Sequence, residues 1–148
     1  MINGALTALK VLMWCVCAFH LAVGAGVNLS SEDFPKMVAQ YYGADKIAWT
    51  PQFVYLLKPI GAFMLALGVI AAAAAMRPLD YRPAIYAFVM LFVIRAVQRL
   101  VYADVLLEDF GISQARNVSN MVFFFGLAAA LVVCERMATN KRATLGAG

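Results

Sequence analysis

A few side chains that could do chemistry stand where an apolar chain should not carry them. Lys58, Arg95, Gln98, Arg99 and Tyr102 fall within or beside long apolar runs, as does His20, the only histidine. Arg95, Gln98, Arg99 and Tyr102 recur at i, i+3, i+4 and i+7, the spacing that puts side chains on one helix face. A guanidinium offers a planar fork of donors suited to a carboxylate, a phosphate or a quinone carbonyl. Asn117 and Asn120 stand at the start of a later apolar run and can add amide groups. The acids Asp104, Glu108 and Asp109 lie beyond the runs, so Lys58, Arg95 and Arg99 read as bases without acids. That pattern suits the reception of an anionic or strongly polar head. Acid–base catalysis needs titratable partners together, and none are paired here.

Histidine and cysteine limit the remaining chemistry. One histidine with Cys15, Cys17 and Cys134 makes a weak metal site, and Cys15 and Cys17 lie about 200° apart around a helix. No C-x-x-C, G-x-S-x-G, Walker loop or H-E-x-x-H occurs. No metal held by protein ligands is therefore expected. A lone histidine does suffice as the axial ligand of a porphyrin or chlorin, and Gly24 lies one turn from His20. The other reading of His20 is a hydrogen-bonded core residue. Enzymatic activity stays open, with a non-catalytic role favoured.

The elements that position these groups follow from composition. The chain has 148 residues, 64% hydrophobic and 14% charged, with a mean hydropathy of +0.81. Soluble domains carry about 25% charged residues. So little charge cannot cover a water-soluble globule. The apolar runs predict four membrane-spanning helices at about residues 7–27, 52–76, 83–106 and 118–137. The last is short unless Asn117 to Asn120 form its first turn. A signal peptide is the rival reading of the first run, but its length, its histidine and two cysteines favour a retained helix. Neither a repeat nor a linker divides the chain, so residues 1–148 read as one all-α integral membrane domain, a four-helix bundle.

Lys10, Arg77, Arg82, Arg136, Lys141 and Arg142 flank one side of the spans, against Lys36, Lys46 and Arg116 on the other. Positive flanks favour the cytoplasm, so both termini are expected inside and the connections 28–50 and 104–118 outside. The net charge of +4 is that bias; it forms no basic stripe, and no nucleic-acid partner is expected. In the first outer connection, Phe34, Met37, Val38, Tyr41 and Tyr42 form one apolar stripe. They predict a short amphipathic helix capped by Ser30 or Ser31 and stopped by Gly43. Lys58, Gly61, Leu65, Gly68, Ala72 and Ala75 repeat every three or four residues, and such small-residue stripes mark close helix packing.

On these spans His20, Lys58 and Arg99 all lie ~10 Å below the outer boundary, with Arg95 one turn deeper. Two arrangements fit. The cations line a pocket with Gln98, Tyr102, Asn120 and His20, or Lys58 and Arg99 snorkel to the interface while Arg95 stays buried. The four spans, the intramembrane Arg95 and the Gly61/Gly68 spacing resemble the DoxX-like group of small bacterial membrane proteins, over about Val54 to Glu135. That resemblance implies a four-helix bundle, with some members associated with quinone-linked redox complexes.

The leading expectation is a non-catalytic subunit or binder of an amphipathic, lipid- or quinone-like ligand, held in a cationic pocket in the outer half of the bilayer. The alternative is a subunit of a redox or pigment complex that uses His20 as an axial ligand. An oligomeric small-molecule transporter is third. Membrane lipids, further copies of the chain or a larger membrane complex are the expected partners, in a bacterial inner membrane.

Overall fold

A computed structural model describes the backbone of residues 4–146 and the side chains of residues 4–140. Six helices follow one another: α1 (Gly4–Leu29), α2 (Asp33–Tyr41), α3 (Pro51–Met76), α4 (Arg82–Val101), α5 (Ala103–Glu108) and α6 (Gln114–Gly146). Helices α1, α3, α4 and α6 are long and apolar enough to cross a membrane. The chain is a multi-pass membrane protein built as a four-helix bundle. The side chains of Lys141 and Arg142, used above to orient the chain, lie outside the described residues.

Helix α1 packs along α3, α4 packs along α6, and α1 meets α6 to join the two pairs. Apolar burial gives little drive between helices in lipid, so association rests on close packing. Glycine supplies it along α1 and α3. A Cβ placed on Gly24 would sit 2.8 Å from the Gly61 carbonyl oxygen and 2.9 Å from the Leu65 nitrogen. A side chain there overlaps backbone, which cannot step aside. The stripe read from Lys58 to Ala75 thus faces α1, with Gly61, Gly68, Ala71, Ala74 and Ala75 buried. The second pair packs through aromatic rings: Phe92 stacks on Phe124 at 6.2 Å, with Phe88 beside it at 6.4 Å from Phe92.

Two span boundaries differ from expectation. Helix α4 ends at Val101 rather than near 106, because Tyr102 leaves helical geometry (φ −104°, ψ 28°) and the chain restarts as α5. The last span is longer than its apolar run. Residues from Gln114 onward already form helix, so Asn117 and Asn120 lie in its first turns.

The amphipathic segment after α1 is the helix α2, with Gly43 in the left-handed region (φ 84°) just past its end. Its cap differs from the expected serines. Glu32 takes the N-cap position without a side-chain cap bond, and pairs instead with Lys36 at 2.5 Å. The Phe34 ring lies against Gly26, where any Cβ would strike it, and this seats α2 on the end of α1. The two connections at this end are tied together. Phe110 O accepts from Asp45 N at 2.9 Å and Lys46 N at 3.2 Å, and Lys46 Nζ reaches Glu108 O at 3.2 Å. A cap of α2, α5 and both loops therefore closes one end of the bundle.

Candidate functional site: a lateral groove between α1 and α6

A groove of about 610 Å³ runs between α1 and α6 below the α2 cap. Helix α1 contributes Cys15, Phe19 and His20, α4 contributes Phe92, and α6 contributes Ser119, Asn120, Phe123 and Phe124. Tyr41, Tyr42 and Arg116 form its rim at the capped end. Phe19 and Phe123 are exposed, so the groove opens sideways, toward the surroundings of the bundle.

His20 is buried, with 1% exposure, and wedged edge-on against Phe19 and Phe88. Its Nδ1 lies 2.7 Å from the Val16 carbonyl oxygen. A carbonyl only accepts, so Nδ1 carries the hydrogen, and in the neutral ring Nε2 is left as an acceptor. That Nε2 has no partner. Asn120 Nδ2, on α6, is likewise a buried donor without an acceptor. Among the described residues the only other such atom is Ser30 Oγ. Two of three therefore line this one groove. Leaving a buried polar atom unpaired costs about 1–3 kcal/mol, and native interiors rarely tolerate it without a reason.

The cations surround the groove without lining most of it. Arg95 lies 5.2 Å from the centroid of Phe124, over a ring that forms the wall, and is not itself part of the lining. Arg99 Nη1 donates to Asn117 Oδ1 at 3.1 Å, and Asn117 Nδ2 returns a bond to the Arg99 carbonyl at 2.8 Å. The Arg99 guanidinium also covers the Tyr42 ring at 5.6 Å, fixing part of the rim. Arg116 donates to the Tyr41 carbonyl and stacks over the Tyr41 ring, fixing the rest.

Three residues expected in the same pocket, Lys58, Gln98 and Tyr102, lie elsewhere. Lys58 Nζ donates to the carbonyls of Val27 at 2.7 Å, Asn28 at 3.4 Å and Ser30 at 2.5 Å. Its charge thereby meets the partial negative charge at the C-terminal end of α1. Lys58 is a cap contributed by a neighbouring helix. Gln98 and Tyr102 are exposed in a shallow depression on the outward side of α4, beside Val93, Ile94 and Val101. The buried line of α4 is Ile85, Phe88, Phe92 and Ala96. Arg99 projects near that line, whereas Gln98 lies ~60° from Arg95 on the side away from it.

No family model, curated protein or solved structure matches this chain. No three His, Cys, Asp or Glu side chains converge among the described residues.

One buried charge went unread in the sequence. Glu135, near the end of α6 away from α2, has no exposed surface. It pairs with Arg82 and accepts from the Tyr86 hydroxyl at 2.9 Å and Thr139 Oγ1 at 3.0 Å. The expectation that only cations enter the spans is corrected here. Glu135 lies toward the opposite end of the bundle from Lys58 and Arg99, outside the depth that groups those cations. Its signal was present as a lone acid in an apolar run, with Arg82 at the matching end of the antiparallel neighbour.

Proposed function

We propose that this protein is a non-catalytic membrane component that binds an amphipathic molecule in the groove between α1 and α6. The observation that carries the reading is the pair of unpartnered polar atoms, His20 Nε2 on α1 and Asn120 Nδ2 on α6, among the residues that line a largely apolar groove. Ligand sites have that composition, with apolar walls and a few polar groups that fix orientation. The side opening gives a membrane-dissolved molecule an entrance that avoids water. Arg95 and Arg99 act on the ligand's surroundings, and Lys58 supports α1. A bacterial inner-membrane location, cytoplasmic termini, kinship with the DoxX-like group and assembly into a larger complex belong to the same proposal.

A second reading has its own support. A histidine whose Nδ1–H is fixed to a backbone carbonyl, with Nε2 free, has the arrangement of metal-ligating histidines. In an aromatic groove it suits the axial position of a porphyrin or chlorin.

One preparation tests both readings. The protein is extracted into nanodiscs of its own membrane lipid, and its bound molecules are measured by mass spectrometry and visible absorption. We expect an apolar, small-headed molecule at near-equal stoichiometry, lost in Cys15→Trp, which fills the groove from α1. Identical bound molecules in both proteins would overturn ligand binding at the groove. An intense visible band that disappears in His20→Ala would establish the macrocycle instead.

A further inference from the structure

The groove's polar atoms also specify the head of its ligand. This step rests on the ligand-binding reading above. His20 Nε2 can only accept, because the Nδ1 hydrogen is committed to Val16 O. Asn120 Nδ2 can only donate. Both are buried and unpartnered. The nearest cations are held by other contacts. Arg95 packs over the Phe124 ring outside the lining, and Arg116, at the rim, gives a guanidinium bond to Tyr41 O and stacks on the Tyr41 ring.

We infer that the groove selects a head that donates one hydrogen bond and accepts another, namely a hydroxyl-bearing apolar molecule of the phenol class. A carboxylate, a phosphodiester or an ether carries acceptors only. Each would satisfy Asn120 and turn lone pairs toward His20 Nε2. A phenol offers an O–H to His20, an oxygen lone pair to Asn120, and a flat ring to walls built from Phe92, Phe123 and Phe124.

Three probes of nearly one shape isolate the two bonds: 4-octylphenol, which donates and accepts; 4-octylanisole, which only accepts; and octylbenzene, which does neither. Binding to the protein in nanodiscs is measured by equilibrium dialysis against empty nanodiscs. Each bond is expected to contribute about fivefold to tenfold in affinity, so phenol exceeds anisole and anisole exceeds octylbenzene. In His20→Phe the phenol falls to the level of the anisole. In Asn120→Leu the anisole falls to the level of octylbenzene. His20→Gln keeps an acceptor and restores part of the preference for phenol.

Equal binding of phenol and anisole by the wild-type protein overturns the head assignment while leaving an apolar ligand groove in place. Failure of all three probes to bind above empty nanodiscs removes the groove reading itself. If His20→Phe does not assemble, the wild-type ranking and the Asn120→Leu arm still decide.

Discussion

The two ends of the bundle handle buried polarity in opposite ways. At the end away from α2, Glu135 has no exposed surface, yet Arg82, Tyr86 and Thr139 all donate to its carboxylate. Below the α2 cap, His20 and Asn120 carry buried atoms with no donor or acceptor opposite them. A complete network is rigid and leaves nothing to offer a ligand. An incomplete one holds binding capacity that the chain itself does not use. Charge alone does not separate the two ends, since both contain arginine. Saturation does, and it turns the contrast into experiments on stability and binding.

The largest effect is expected at the saturated end. Glu135→Leu removes the acceptor shared by three donors and should lower stability by about 3 kcal/mol, read as a shifted unfolding midpoint in a denaturing-detergent titration. Adding Arg82→Met should recover part of the loss, because it removes the donor left without its carboxylate. Tyr86→Phe, which deletes a single donor, should cost about 1 kcal/mol. None of the three should alter binding at the groove. A change in bound molecules in any of them would mean that the ends are coupled.

Lys58 sharpens the comparison, because it lies near the capped end and yet behaves like Glu135. Its ammonium is committed to carbonyls at the end of α1. Lys58→Met should cost about 2 kcal/mol in the same titration, the scale of hydrogen bonds to a charged group. The ranking of groove ligands should be unchanged. Arg would not replace it well: a longer planar fork does not converge on three carbonyls as an ammonium does.

These cases show which parts of the molecule could be read from the chain. The four spans were legible because hydropathy and length act over twenty residues at a time. The Gly61/Gly68 seam was legible because a helix repeats every three to four residues. Position along each span was legible for the same reason, and it drew attention to His20, Arg99 and Arg95. Azimuth and partners were not. Lys58 sits at the right depth for a pocket, but the carbonyls it meets belong to residues about thirty positions earlier. Gln98 shares the i, i+3 spacing of Arg95 and still lies outside, because the core line of α4 runs along the other flank. The groove itself depends on where α1 and α6 meet, and no local pattern encodes that.

The smallest stability effect is expected at His20, and it cuts most sharply between the two ends. His20→Phe keeps an aromatic ring between Phe19 and Phe88 and removes a polar atom that has no partner. The bond from Nδ1 to Val16 O is lost, but that carbonyl already serves the backbone of α1. The lost bond and the relieved Nε2 should nearly cancel, so the unfolding midpoint should move by less than about 1 kcal/mol in either direction. A purely structural histidine would instead behave as Glu135 does, with a clear loss of stability and no effect on ligands. If the groove binds through Nε2, the balance reverses: stability holds while the bound molecule is depleted from the nanodiscs. A stable protein that keeps its bound molecule would show that the groove is apolar space alone.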